Sequence, residues 1–286
     1  MKQVSGSLTA KLKDFSYSHK YTPPLLITGI LLAAQLSFGI LESYPKLLTA
    51  ITASFLTEAI LHRLIVGSWR DMSSAYISGI SVGILIRSPQ LWPFAFCATI
   101  SIASKYVLRY KGQHIWNPSN FGVVAMLLLA PQSVAVLSIQ WGNNMWAMLI
   151  IWIVGSISIY RLRRFHICAT YVLSFLVFAL VRSWITGDPY VAEISPITGP
   201  MYQLFIFFMI TDPKTTVSSK WGQYLVIVLI AFVEMILRLN EAVYAPFYAL
   251  FIVGPIAMFI ELWWKDRQQK IEASSQSSNN ILASAN

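Results

Sequence analysis

Apolar runs separated by short polar stretches fill most of the chain: 25–41, 47–66, 75–86, 91–108 and 121–130, then 145–160, 167–181, 201–210, 224–237 and 243–264. They predict an all-α polytopic membrane protein of about ten segments. A simple spanning helix needs about 17–25 residues, so 75–86, 121–130 and 201–210 are too short alone. Those three predict half-helices, or helices extended by irregular backbone. Two polar motifs stand at such places, Gly112-Gln-His-Ile-Trp-Asn-Pro-Ser-Asn-Phe-Gly122 and Phe208-Met-Ile-Thr-Asp-Pro-Lys-Thr-Thr216. At membrane depth every freed N–H and C=O must find a partner in protein or in a water-filled cavity. Two such interruptions predict a built site.

Composition narrows the class. With 56% hydrophobic and 12% charged residues, and a mean hydropathy of +0.60, the chain lies far from the roughly 25% charged of a soluble domain. A net charge of +9 could suggest nucleic acid, but basic groups that bind phosphate backbones cluster on one surface. Here they sit in short runs between apolar segments. Ten crossings with an inside N-terminus place 17 Lys and Arg inside and only Lys46, Arg87, Arg182 and Arg238 outside. That bias predicts both termini inside, a multi-pass protein of the cell (inner or plasma) membrane with lipid as its surroundings and no nucleic-acid partner. Cys97 and Cys168 each lie in an apolar run and read as small buried hydrophobes, not a disulfide framework. Residues 1–22 form a polar cytoplasmic N-terminus with no signal-peptide-length apolar stretch. Residues 23–264 make one transmembrane domain, and the Ser/Asn/Gln-rich 265–286 reads as a disordered cytoplasmic tail.

The halves repeat. Residues 23–131 and 145–264 each run long, long, short, long, then a last segment with a Pro motif, Asn117-Pro118 in one and Ala245-Pro246 in the other. Five crossings per half is odd, so the second half is expected to be inverted. Inverted repeats with interrupted helices place their site near the midplane, where the broken segments meet.

Ionisable groups inside spans cost about 2.5–3.5 kcal/mol on insertion scales and are functional candidates by default. Glu58 and His62 lie one turn apart, as do Lys105 and Arg109, and Glu234 and Arg238. Either Glu58 or Glu234 could pair with Lys105 at the centre. Alternatively His62, Arg109 and Arg238 snorkel to the interfaces and Glu234–Arg238 is an ordinary intrahelical pair. Asp212 with Pro213 could end the eighth segment, while Thr211, Thr215 and Thr216 beside it suit a small-cation site. Half-helix N-termini instead suit an anion. Asn117, Pro118, Ser119 and Asn120 read either as part of that site or as a plain helix start, with Ser119 or Asn120 as the cap. Catalytic and metal-binding signatures of soluble enzymes are absent, and the four histidines are scattered. Enzymatic activity of the isolated chain is not expected.

The two motifs, their order and spacing, and the ten-segment layout resemble the RnfD/NqrB family, membrane components of the Rnf electron-transport complexes and of the sodium-pumping NADH:quinone oxidoreductase. Trp116-Asn117-Pro118 matches the family motif that opens one half-helix, and Thr211-Asp212-Pro213 the one that closes another. The likeness extends from about Tyr76 to Trp264 and is closer to the short, stand-alone UnbU-type members of enediyne biosynthesis clusters. The resemblance implies a membrane component of electron-transport-linked Na+ or H+ translocation that relies on partner proteins for redox chemistry. It leaves open a stand-alone channel or transporter for a small solute or ion, or an accessory role in natural-product biosynthesis. Electron-carrying members bear covalent FMN on a Thr in a long outer loop. The matching stretch here, 131–144, contains no Thr, and Thr99 and Thr170 end look-alike segments inside apolar runs, so covalent FMN is expected to be absent. Non-covalent riboflavin or FMN stays open, with Trp116, Phe121 and Tyr202 as aromatics that could stack on it.

Overall fold

The computed structural model describes residues 28–29, 43–69, 71–136, 145–212 and 214–284. Its helices are α1 Tyr44–Val66, α2 Ser73–Leu85, α3 Trp92–Val107, α4 Pro118–Leu129, α5 Met145–Leu162, α6 Phe165–Thr186, α7 Tyr190–Ile194, α8 Pro200–Leu204, α9 Lys220–Leu239 and α10 Ala245–Ser284. A π-helical turn, Phe205–Met209, continues α8. Among the described residues, four stretches are long and apolar enough to cross a membrane: Tyr44–Val66, Phe165–Thr186, Lys220–Leu239 and Ala245–Glu272. Ser73–Leu85, Pro118–Leu129 and Ile151–Leu162 are shorter apolar helices. The chain is thus an all-α protein with the make-up of a membrane protein. The expected first segment, 25–41, lies outside the described residues apart from 28–29.

The helices turn apolar side chains outward as well as inward. Leu48, Leu56, Ile60 and Leu64 on α1 are all more than half exposed, an arrangement water would penalise and hydrocarbon does not. Inside, α1 packs on α2 and α3, α3 on α4, α6 on α9, and α9 on α10, while α10 also meets α4. Small residues set the closest approaches. A Cβ on Gly122 of α4 would stand 2.7 Å from the Cys97 carbonyl of α3 and would overlap the Ser101 hydroxyl. Membrane helices use such residues to bring backbones together where apolar burial gives no net drive.

Two short ladders fix the ends of the short helices. Antiparallel β1, Ile86–Arg87, pairs with β4, Ala135–Val136, tying the end of α2 to the stretch after α4. Antiparallel β2, Arg109–Tyr110, and β3, Gln113–His114, form a hairpin over Lys111 and Gly112 at φ 50° and 80°. Positive φ at both turn residues marks the type I′ turn that matches strand twist. The hairpin delivers the chain directly to the start of α4.

The last helix does not stop where a disordered tail was expected to begin at 265. It continues to Ser284. No Gly or Pro follows Pro255, and Glu261–Lys265 and Asp266–Lys270 pair at one-turn spacing, at 2.8 and 3.2 Å. Each such pair adds a few tenths of a kcal/mol to a helix, about 0.2–0.5.

Candidate functional site

The site begins at the start of α4. Asn117 takes extended backbone and its Oδ1 accepts the N–H of Asn120 at 3.0 Å, with Pro118 at the first helical position. Asn117 is therefore the cap, and Ser119 and Asn120, the expected caps, are already helical. Pro favours that first position because its missing N–H has no helical partner there. The same Asn117 side chain donates from Nδ2 to Asp212 Oδ2 at 3.1 Å. Cap and site are not alternatives here: one amide serves both.

Asp212 sits where the eighth apolar run opens. The π turn ends with Ile210 N–H donating to the Phe205 carbonyl at 3.1 Å, and Thr211 Oγ1 donates back to Phe207 at 2.7 Å. The Asp212 carboxylate then accepts the Lys214 N–H at Oδ1 and the Thr215 hydroxyl at Oδ2, 3.1 and 3.0 Å. Three bonds, counting Asn117, occupy it. Pro213 lies outside the described residues. Nearby, buried Asn120 donates to the Phe247 carbonyl at 3.2 Å, and Trp116 Nε1 donates to that of Phe251 at 3.0 Å. Residues 116–120 thus bond to both the Asp212 turn and α10.

A cavity of about 890 Å³ opens against this junction. One wall is a hydroxyl stripe on α2, Ser74, Ser78 and Ser81; facing it are apolar and aromatic side chains such as Ile151, Phe207 and Phe208. Asn117, Pro118, Ser119, Thr211 and Asp212 line it, as do Lys105, Arg109, Lys214 and Lys265. Of the five pathway candidates, Lys105 and Asp212 reach this cavity directly.

Lys105 is buried and joins the cavity wall to Glu58. Its Nζ donates to Ser74 Oγ at 3.1 Å and lies 3.7 Å from Glu58 Oε2, while Tyr106 donates to Glu58 Oε1 at 2.8 Å. Glu58 is fully buried. Of the two pairings open to Lys105, the protein forms the one with Glu58. His62 stands apart from the cavity: its Nδ1 meets the Ser68 carbonyl at 2.7 Å and its ring meets Tyr106 edge-on. Arg109 was expected one helical turn after Lys105, but α3 ends at Val107 and Arg109 belongs to β2.

Glu234, expected between the motifs, is held elsewhere. It is fully buried on α9, accepts from the Tyr171 and Tyr202 hydroxyls, and pairs with Arg238 at 3.3 Å. Arg238 also donates from Nε to Tyr202 at 3.0 Å. This cluster ends at a second hollow of about 400 Å³ lined by Tyr202, Arg238 and Glu241. The physical reason is reach. The i+4 arginine and two phenols satisfy Glu234 on its own side, so nothing draws it toward Lys105.

The two clusters use one design in exchanged positions. On α1 and α3 the acid is on the earlier helix and the Tyr on the later; on α6 and α9 the Tyr is earlier and the acid later. The three tyrosines carry no sequence signal that separates them from core or lipid-facing aromatics. The serine spacing of 74, 78 and 81 is a helical-face signal that could have been found. The aromatics offered as a flavin platform do not converge: Trp116 and Phe121 pack with Phe251, while Tyr202 packs on Phe175.

His114, on the hairpin at the cavity wall, shows the local electrostatics. Its pKa is lowered from the ordinary imidazole value, first by burial, with Lys214, Lys105 and Arg109 adding to the shift and Asp212 opposing it. Among the described residues no cluster of His, Cys, Asp and Glu is grouped to hold a metal. Comparison with protein-family models and with curated proteins finds no match to the chain.

Proposed function

We propose that this chain is an integral membrane transport protein of the RnfD/NqrB type, with ten segments in two inverted sets of five and both termini inside. The observation that carries the reading is the 3.1 Å bond between Asn117 and Asp212. It joins two helix openings, far apart in sequence, at the wall of a large cavity whose polar groups gather at that junction. Irregular backbone at membrane depth is tolerated where it is buried in protein or lines a water-filled space, and broken helices meeting at a central cavity are how many transporters build their binding site. The cavity shares its lining with Arg109, Lys214 and Lys265, all on the side that the charge bias makes cytoplasmic. The hollow at Arg238 falls on the opposite side by the same count.

In this reading solute enters from the cytoplasm between the serine stripe and the junction. Glu58–Lys105 and Glu234–Arg238 keep buried charge neutral on either side. The family likeness extends the proposal to ion translocation coupled to electron transfer in partner proteins, without covalent FMN. A stand-alone transporter for a small solute or ion differs in one respect: it moves solute in liposomes without partners.

Accessibility tests the cavity. With Cys97 and Cys168 changed to Ala, Ser81→Cys should react with a membrane-impermeant charged maleimide in inside-out vesicles and remain protected in right-side-out ones. No labelling in either orientation ends the transport reading. For topology, reporter fusions at Gln140 and Gly187 should read outside, and those after Arg164 and Lys214 inside; two reversals among the four remove the ten-segment count.

A further inference from the structure

We propose that the cavity beside Asn117 and Asp212 takes an anion, a terminal phosphate on an apolar body, with Arg109 and Lys214 engaging the phosphate. The inference rests on the transport reading of this cavity and names its ligand class.

The lining groups divide clearly. Four cationic side chains, Lys105, Arg109, Lys214 and Lys265, face two carboxylates, Asp212 and Glu261. Both carboxylates are already engaged. Asp212 accepts from Asn117, Lys214 N–H and Thr215. Glu261 accepts the Ser218 N–H at 3.0 Å and pairs with Lys265 at 2.8 Å. A bare cation would meet carboxylates whose charge is already largely committed to these donors.

The cations divide as well. Lys105 is matched by Glu58 and Lys265 by Glu261, whereas Arg109 and Lys214 are exposed and form no ion pair among the described residues. A positive-inside bias puts basic residues on one side of a bilayer but does not gather them at one cavity. Arg63, Arg161 and Lys220 share that side and do not line it. Arg109 is placed by the β2–β3 hairpin that leads into the first motif, and Lys214 by the Asp212 turn of the second.

One helix start adds to the same field. Pro118 and Ser119 begin α4 and line the cavity, whereas the start of α2 already carries the Asp71 carboxylate, which accepts the Ser73 N–H at 3.0 Å. Helix N-termini carry partial positive charge that favours anions. Ile77 and Ile84 flank the serine stripe on α2, and Phe207 and Phe208 line the same cavity from another element, so an apolar body would meet hydrocarbon with hydroxyls on one side. The volume of about 890 Å³ lies within the range of small-molecule sites.

The test uses the full chain in phosphatidylcholine nanodiscs, with Ser81→Cys in the cysteine-free background and maleimide labelling as readout. Phenyl phosphate should slow labelling, inorganic phosphate should do so at higher concentration, and sodium chloride at matched ionic strength should not. In Arg109→Gln/Lys214→Gln the phenyl phosphate needed should rise by about tenfold or more, as expected for lost charged contacts. Nanodiscs with added phosphatidic acid separate the sources. Slower labelling before any phenyl phosphate is added identifies a lipid headgroup, and an unchanged rate with protection retained identifies a soluble phosphate. Protection equal to that of sodium chloride, or undiminished in the double variant, overturns the anion site while labelling itself upholds the cavity. No labelling at all overturns both.

Discussion

Asn117 Nδ2 donates to Asp212 Oδ2 at 3.1 Å, while Asn117 Oδ1 caps α4. One side chain therefore starts a helix and ties that start to the turn after the π segment. Asn117→Ala removes both roles. Loss of a cap costs about 0.5–2 kcal/mol, and loss of a hydrogen bond to a charged group about 1.5–3. Thermal unfolding in detergent should show Asn117→Ala clearly destabilised. Asn117→Ala and Asp212→Ala should be non-additive, with a coupling of about 0.5–3 kcal/mol. Additive losses would mean that the bond contributes nothing.

Glu58 and Lys105 predict an asymmetry between single and double changes. Lys105→Met leaves a fully buried carboxylate without its cation, and breaking such a pair costs about 3–5 kcal/mol. Glu58→Leu together with Lys105→Met should recover most of that loss in expression and unfolding midpoint. A double variant as unstable as Lys105→Met alone would count against the pairing.

Gly122→Ala should destabilise by about 1–3 kcal/mol, the usual range for overpacking, because its Cβ meets the Ser101 hydroxyl and the Cys97 carbonyl. Adding Ser101→Ala relieves the first clash and leaves the second, so rescue should be partial. Full tolerance of Gly122→Ala would show that α3 and α4 separate readily.

His114 gives a pH dependence with a defined sign. Its folded pKa lies below the ordinary imidazole value of 6.5, so the unfolded chain binds the proton first as pH falls. The native state keeps its full stability above about 6.5 and loses it as pH drops through 6.5 toward the lowered folded value. His114→Gln should flatten that loss in unfolding midpoints measured across the window. An unchanged acid slope would place the sensitivity elsewhere.

Much of the architecture could be read in advance because apolar runs of spanning length have few outcomes. The helices at 44–66, 165–186, 220–239 and 245–272 follow from that alone. So does the meeting of Asn117 with Asp212, since opened backbone in an apolar setting must turn toward other polar groups. What could not be read depends on side-chain reach. Tyr106, Tyr171 and Tyr202 are ordinary aromatics in apolar runs until they touch Glu58 or Glu234. The choice of Glu58 over Glu234 for Lys105 is decided by the α1–α3 packing, which residue spacing within single helices does not encode. The cap fell to Asn117 because Pro118 occupies the first helical position, a matter of one or two residues.

The exchanged Glu–Tyr bonds have a mechanical consequence. Glu58 is held by α3 and Glu234 by α6 and its own helix, so each buried charge is neutralised within its own set of helices. The polar bonds described between residues 43–136 and 145–284 leave from 111–120: Lys111 to Asp266, Trp116 to Phe251, Asn117 to Asp212 and Asn120 to Phe247. Tilting one set against the other would leave both glutamates paired and load the polar bonds of this ten-residue stretch together with the apolar α4–α10 packing beside it, making that seam the natural fulcrum of the molecule.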